Sequence, residues 1–213
     1  MRKLLLFALS CTFIFGLVVA HGYLKEPIAR TSIQLREREF GTTQPYWWDH
    51  QGVWCNNVRQ DLLYSTCGRC GERFGNFDAS QGGRYDKGVI VATYNAGSRI
   101  TVETEFGATH GGQFHLELCP QQTETNNCFV PLTIVSGNVN IRNNTACVDN
   151  SRSQINVQVQ LPSGVRCNRC TMRWTYRTYY FSDPWDPAWH ETNCWVNPDP
   201  TQTFRNCADI RIV

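Results

Sequence analysis

Cysteine, more than any other residue type, limits the structures that are open to this chain. The chain has eleven cysteines, and Cys11 lies in a leader of twenty residues that has the pattern of a cleaved secretion signal. Ten would remain in the mature protein, and an even number in an exported chain is typical of a disulfide framework. They are Cys55, Cys67, Cys70, Cys119, Cys128, Cys147, Cys167, Cys170, Cys194 and Cys207. We therefore expect five disulfides.

Two short runs of the sequence also have the spacing of zinc ligands. The runs 67–70 and 167–170 each carry a cysteine at both ends. About a hundred residues separate the two runs, whereas a zinc ribbon places its pairs roughly 15 to 20 residues apart, so disulfides are favoured over zinc. Cys119 and Cys128 stand at the ends of a short polar loop, and they are the one pair that the sequence predicts.

The leader predicts where the mature protein begins. A positive start is followed by an uncharged apolar run, which ends in small residues at Ala20, as a signal peptidase requires. The alternative is an uncleaved membrane anchor, but the run of about 16 apolar residues is short for a bilayer. We therefore expect a signal peptide at 1–20, secretion, a single domain at 21–213 and a free amine on His21.

The charge balance argues against one large class of partners. Arg2 and Lys3 leave with the leader, so eighteen basic and eighteen acidic side chains remain. Nucleic-acid binding rests on a clustered basic surface, so we expect no nucleic-acid partner. After the leader no apolar run reaches the roughly 18 residues that span a bilayer, so we expect no membrane association. We expect one domain with its own core, and a monomer.

Apolar and polar residues alternate along several segments, which is the pattern of strands with one buried face. In 153–161, Ile155, Val157, Val159 and Leu161 fall on one side. Similar segments are 88–94, 99–105, 113–119, 129–135, 171–177 and 210–213. About seven short strands separated by Gly, Asn and Pro predict an all-β fold, an antiparallel sandwich of the immunoglobulin or fibronectin III kind.

Two stretches lack this alternation. The segment 21–87 is rich in glycine, arginine and aromatic residues and holds three cysteines. We expect it to form short helical turns in long loops that disulfides staple over one end of the sandwich. The segment 181–203 contains Asp-Pro pairs. We expect it to be a long connection before the last strand.

A histidine at the start of the mature chain is an unusual metal ligand. His21 would offer its amine and one ring nitrogen, and a second imidazole would complete a T-shaped set of nitrogens that suits copper. His110 is the strongest partner, because glycines on both sides let the chain turn just before the strand 113–119. The remaining histidines, which we expect to be surface or satisfied polar residues, are His50, His115 and His190.

Six blocks of the sequence carry a resemblance to a known family. They are His21-Gly22, 27–30, 67–71, 107–119, 170–176 and 203–210. In this order they resemble the lytic polysaccharide monooxygenases, and the nearest group is auxiliary activity family 15, found in insects and other eukaryotes. The resemblance implies an oxidoreductase with one copper ion in a histidine brace of His21 and His110. It also implies an external reductant, hydrogen peroxide or dioxygen as co-substrate, and an insoluble polysaccharide substrate, with chitin expected first and cellulose second.

The resemblance assigns three further residues. Phe204 matches the axial position beside the metal, where a ring that cannot ligate leaves that side apolar; a plain core aromatic is the other interpretation. Ala108 matches a small residue that limits access over the metal. Glu72 stands where many relatives have Asp, and it is either an acidic group near the copper or a surface carboxylate.

Aromatic residues are the expected contacts for sugar rings. Tyr46, Trp47 and Trp48 follow a proline in the first irregular segment, and they either contact substrate or lie buried under the loop. We expect no further carbohydrate-binding segment, so this domain should hold the substrate. Asn143 begins an Asn-Asn-Thr sequon, which makes a glycoprotein plausible. Two other functions stay open: a non-catalytic chitin- or glycan-binding protein, and a secreted copper carrier.

Overall fold

The computed structural model describes residues 21–41, 44–59, 67–73, 76–179, 193–195 and 199–213, without the side chains of residues 56 and 57. Within these residues the chain forms twelve strands, a 3₁₀ helix (Arg30–Arg36) and the short helix α1 (Glu37–Phe40). The strands are β1 (His21–Glu26), β2 (Trp54–Val58), β3 (Ala92–Tyr94), β4 (Arg99–Ala108), β5 (Gln113–Cys119), β6 (Val130–Pro131), β7 (Thr133–Gly137), β8 (Ile141–Arg142), β9 (Thr145–Cys147), β10 (Gln154–Gln160), β11 (Cys167–Arg177) and β12 (Thr201–Ile212).

The strands form two sheets. The smaller sheet has the order β1-β4-β10-β7, and the larger has the order β2-β12-β11-β5-β9-β8, with β3 added to β12 and β6 added to β5. All pairs are antiparallel except β3 with β12. The predicted all-β sandwich is therefore confirmed. No helix of the described part of the chain is long and apolar enough to cross a membrane.

The core lies between the sheets and follows the period-two pattern of the sequence. From β10 it receives Ile155, Val157 and Val159, which are fully buried. The larger sheet contributes alternate residues of β5 and β11, which are Phe114, Leu116, Leu118, Met172, Trp174 and Tyr176. Each strand that the alternation marked most clearly therefore turns its predicted face to the core.

The first irregular segment was only partly predicted. Residues 21–87 do contain short helical turns, but they begin with the strand β1 and also contain β2. β1 was missed because both of its faces are partly covered, so buried residues run consecutively at Gly22, Tyr23 and Leu24 and show no alternation. This strand places His21, the expected start of the mature chain, on the edge of β4.

The last strand was predicted too short, and the connection before it too long. β12 begins at Thr201, nine residues before the expected start at Ile210, so the connection expected at 181–203 ends earlier. Residues on both faces of β12 are buried, because the segment after β1 covers the outer face of the sheet, so polar and apolar residues do not alternate along it. Two other expected strands are shorter or divided: 88–94 keeps only β3, and 129–135 is split between β6 and β7.

Five disulfides staple the sandwich. The pairs are Cys55–Cys67, Cys70–Cys207, Cys119–Cys128, Cys147–Cys194 and Cys167–Cys170. The two runs with zinc-like spacing therefore do not combine, because 67–70 bonds to other segments and 167–170 closes on itself. The Cys70 bond to Cys207 fastens the first irregular segment to the outer face of β12.

Candidate metal centre

Strand pairing brings His21 to the loop that carries His110. In the register of β1 with β4, His21 lies opposite Ala108, two residues before His110. Burial lowers the pKa of His110, and the neighbouring His21 lowers it further, because adjacent positive imidazoles repel one another. His110 is therefore neutral at pH 7, which is the form of imidazole that binds metal ions.

Four hydrogen bonds hold the main chain around His110. The His110 C=O accepts the N–H of Tyr179 at 3.2 Å, and the His110 N–H donates to the Tyr176 hydroxyl at 3.4 Å. That hydroxyl donates to the C=O of Gly111 at 2.6 Å, and the N–H of Gly111 donates to the side-chain oxygen of Asn150 at 2.9 Å. The histidine loop, residues 109–112, is thus anchored to β11, to the chain after it and to the 149–153 loop.

The start of β1 is held by a second loop, 44–52. The N–H of Gly22 donates to the C=O of Gln51 at 3.0 Å. The ring of Tyr23 meets the ring of His50 edge-on, with 4.9 Å between their centroids. The 44–52 loop therefore lies beside His21 and completes this end of the sandwich.

A layer of aromatic rings lies beneath the histidine loop. Tyr176 and Phe204 are Cα partners on β11 and β12, both are fully buried, and their rings stack with centroids 5.8 Å apart. Phe106 from the smaller sheet meets Tyr176 edge-on at 5.2 Å. Burial raises the pKa of the Tyr176 hydroxyl, so the hydroxyl stays protonated.

Comparison with known proteins decides the family. The sequence matches, over residues 21–210, the model of a family described as lytic polysaccharide mono-oxygenase, cellulose-degrading. This chain belongs to the lytic polysaccharide monooxygenase family. The match begins at His21, the first residue of β1.

Two solved structures of monooxygenases resemble the chain. One is a lytic polysaccharide monooxygenase of auxiliary activity family 15 from Thermobia domestica in the Cu(I) state; it is 29% identical, with a TM-score of 0.70, over 90% of this chain and 98% of that chain. The other is the cellulose-active CelS2 in complex with copper, 17% identical with a TM-score of 0.56 over 90% and 98%, a likeness that concerns the fold. The resemblance to auxiliary activity family 15 is thereby confirmed. The search of curated proteins found no match.

The other residues expected in the metal site lie in different parts of the structure. Ala108 ends β4 opposite His21, so it lies at the site. Phe204 lies in the core under Tyr176, where it forms part of the aromatic layer. Its axial role and the access role of Ala108 stay predictions.

Glu72 lies in a turn on the outer face of the larger sheet. It is buried, and its carboxylate accepts the N–H of Cys70 at 2.9 Å and the hydroxyl of Ser80. The expected alternative of a surface carboxylate is wrong, because the turn folds around the side chain. None of its described contacts reaches His21 or His110, and a role near the metal stays a prediction.

The three expected sugar-binding aromatics do not share one environment. Trp48 is 80% exposed, and Tyr46 meets it edge-on with 4.9 Å between ring centroids. The Tyr46 hydroxyl donates to Glu37 at 2.6 Å, and this bond fixes the Tyr46 ring. Trp47 faces inward against Tyr85 and is half-buried. Trp48 is therefore the aromatic side chain that the 44–52 loop presents to solvent.

The remaining expected residues lie away from the histidine pair or outside the described part. His115 is half-buried on β5 and faces Glu117 at 3.5 Å. His190 lies outside the described residues. Asn143 is exposed in the two-residue turn between β8 and β9 and has a positive φ of 51°.

Sequence reasoning missed the residues that hold the main chain at the two histidines, which are Gln51 beside His21 and Asn150, Tyr176 and Tyr179 around His110. Alternation along β11 marks Tyr176 as a core residue, but no sequence signal shows that its hydroxyl reaches His110. Among the described residues one other cluster has metal-binding residue types, Cys70, Glu124 and Cys207. Its two sulfurs are bonded to each other, so it is not a metal site.

Proposed function

We propose that this protein is a secreted, copper-dependent lytic polysaccharide monooxygenase that cleaves glycosidic bonds in insoluble chitin, with cellulose as the second substrate. The observation that carries the proposal is the β1–β4 register, which sets the first residue of the proposed mature chain opposite Ala108 and next to the His110 loop. A histidine brace needs a histidine at the chain's start close to a second histidine. Here β1 would hold the first beside the loop that carries the second.

The donor set fits one copper ion. His21 would supply its amine and a ring nitrogen once the signal peptide is removed, and His110 would supply the third nitrogen. Copper, with an external reductant, supplies the one-electron chemistry by which hydrogen peroxide or dioxygen attacks a C–H bond next to the glycosidic linkage. The similar monooxygenase from Thermobia domestica, solved in the Cu(I) state, supports this choice of metal.

The protein's own residues would orient the ligands and shape the surroundings of the metal. The main-chain bonds of His110 fix the loop, and the bond from Gly22 to Gln51 fixes the start of β1. Phe204 would provide an apolar ring near the metal, because that ring offers no ligand atom. Ala108, with its single methyl group, would leave the approach to the metal open to a small co-substrate.

The substrate would lie across the end of the sandwich that carries the histidines. Trp48 offers an exposed ring on the 44–52 loop, whose Gln51 bonds to the start of β1, and Tyr46 supports that ring from the side. Stacking of a sugar on such a ring covers apolar surface without needing a cleft. The exposed sequon residue Asn143, in the turn between β8 and β9, is the proposed site of N-glycosylation.

Product analysis tests the function. The mature protein, loaded with copper, is incubated with a reductant and peroxide on β-chitin and, separately, on cellulose. Oxidised oligosaccharides are expected, first from chitin, and N-terminal sequencing should give His21. The monooxygenase function is wrong if neither polymer gives oxidised products; tight adsorption without products would instead support a glycan-binding protein, and copper binding with neither would support a carrier.

A further inference from the structure

We propose that Tyr176 is a positioning residue of the metal centre, whose buried hydroxyl fixes the main chain around His110 and thereby sets the direction of its imidazole. The part of this inference that concerns copper binding rests on the proposed function. The hydrogen bonds on which it depends concern the chain alone.

The hydroxyl bridges two successive residues of the loop. It accepts the N–H of His110 at 3.4 Å and donates its proton to the C=O of Gly111 at 2.6 Å. A hydroxyl has one proton to donate and two lone pairs that accept, so both bonds form at once. Together they fix the main chain on both sides of the His110 Cα atom, from which the imidazole projects.

The anchor itself is held rigidly. Tyr176 is fully buried, and its ring stacks on Trp174 at 5.7 Å and on Phe204 at 5.8 Å between centroids, with Phe106 edge-on at 5.2 Å. Close-packed neighbours of this kind leave an aromatic side chain one position. The hydroxyl therefore occupies a fixed point at the edge of the core, directly under the loop.

The loop needs such an anchor because its own sequence is permissive. Gly111 and Gly112 follow His110 with positive φ angles of 62° and 102°, and glycine loses much conformational freedom when it is held in one conformation. A Cβ on Gly112 would also collide with the C=O of Arg177, so the flexible residue cannot be replaced by a stiffer one. Side-chain anchors must supply the order that the loop lacks.

Removing the hydroxyl alone tests the proposal. Tyr176→Phe keeps the ring in the core and deletes only the bridging oxygen. Tyr94→Phe is the matched control, because Tyr94 lies on β3 opposite Ile212, at the other end of β12 from Phe204. Three quantities are measured on both variants and on the wild type: hydrogen exchange of the His110 amide without metal, Cu(II) affinity, and the electron paramagnetic resonance spectrum of bound Cu(II).

For Tyr176→Phe we expect the His110 amide to exchange about tenfold faster and Cu(II) to bind about tenfold more weakly, as is typical when a residue behind a metal ligand is lost. The resonance spectrum should also shift, which a purely structural residue would not cause. Tyr94→Phe should match the wild type in all three. Unchanged exchange, affinity and spectrum in Tyr176→Phe would overturn the proposal, even if the wild type oxidises chitin.

The two proposals fail in different ways. If the wild type binds no copper, the proposed function is wrong, while amide exchange in the metal-free protein still shows whether the hydroxyl fixes the loop. If Tyr176→Phe does not fold, nuclear magnetic resonance of the wild-type protein tests the anchor instead. A slowly exchanging Tyr176 hydroxyl proton close to the His110 amide is then expected, and its absence would refute the anchor.

Discussion

Glycine at position 22 makes room for the ring that packs behind His21. A Cβ at Gly22 would lie 2.6 Å from the ring of Phe106, which is buried between the sheets. The neighbouring N–H of Gly22 is the one that binds Gln51. Packing therefore restricts position 22 to glycine. The contacts of Gly22 with Phe106 and Gln51 in turn fix the position of His21.

Gly22→Ala should lower the free energy of unfolding by about 1–3 kcal/mol, the usual result of overpacking. It should also weaken Cu(II) binding, because the start of β1 must shift away from Phe106. Gly164→Ala is the control, since a Cβ there meets nothing within 4 Å, and it should stay within about 0.5 kcal/mol of the wild type. Thermal unfolding and copper titration measure both, after sequencing confirms the terminus; equal behaviour of the two variants would contradict the packing argument.

His110→Ala tests the second ligand. It should reduce Cu(II) affinity by more than about 100-fold, beyond the loss typical of an outer partner, and abolish oxidised products, while the disulfide-stapled fold survives. His115→Ala is the control, because His115 faces Glu117 on β5 and not the loop. Isothermal titration with Cu(II) and circular dichroism measure the outcome, and unchanged copper binding in His110→Ala would remove His110 from the site.

At the scale of elements, β5 and β11 are joined by a partly buried ion pair. Glu117 on β5 lies opposite Arg173 on β11 and accepts its hydrogen bond at 2.7 Å. Burial opposes ionisation of Glu117, but the hydrogen bonds and charges of His115 and Arg173 outweigh it, so its pKa lies far below the usual range. A carboxylate with a depressed pKa stabilises the fold above its unfolded pKa and loses this effect as pH falls.

Glu117→Gln should therefore be less stable than the wild type at pH 7, by about 1.5–3 kcal/mol, the size of a hydrogen bond to a charged group. The difference should shrink below about pH 4.3, where the unfolded carboxyl gains its proton. Glu39→Gln is the control, because Glu39 forms an exposed pair with Arg36 and such pairs contribute little. Urea unfolding across pH 3 to 7 measures this; a difference that does not depend on pH would show that the charge of Glu117 is not responsible.

The same scale shows which elements the sequence could predict. Strands with one covered face, such as β10, were predicted within a residue at each end, because burial follows alternation. β1 and β12 were missed or shortened, because covering both faces removes the alternation. Alternation of apolar and polar residues marks a strand that has one buried face. It cannot show that tertiary contacts also cover the second face.

Across the whole molecule, the two ends of the sandwich differ in chemistry. At the end where β12 carries Phe204 lie the histidine loop and the 44–52 loop. Toward the other end, Arg30 is buried and bonds to Asp209 at 2.6 Å and to Glu124 at 2.9 Å. Removing one member of such a set leaves a buried charge unpaired, so these contacts fasten the segment after β1 to the far end of β12.

The candidate site could be predicted from the sequence only in part. His21 stood out by its residue type and its position after the predicted leader, and His110 by its residue type and the glycines beside it. Tyr176 and Gln51 did not, because each acts by a contact that spans many residues and exists only once the sheets have formed. A solvent-exposed Trp48 and a half-buried Trp47 are likewise neighbours in sequence that folding separates.

An insoluble substrate meets the molecule as a surface. The exposed ring of Trp48, on the loop that bonds to the start of β1, should therefore control adsorption. Trp48→Ala should bind β-chitin at least about fivefold more weakly, since an aromatic at the centre of a contact typically contributes more than about 1 kcal/mol. Cu(II) affinity should not change, because Trp48 has no described contact with the histidine loop or with the aromatic layer under that loop. Phe77→Ala is the matched control: Phe77 is 56% exposed but packs against Arg69, whose side chain bonds to Glu124 at the far end. Adsorption isotherms of both variants separate the ends of the sandwich, and equal losses would show that the substrate does not lie across the histidine end.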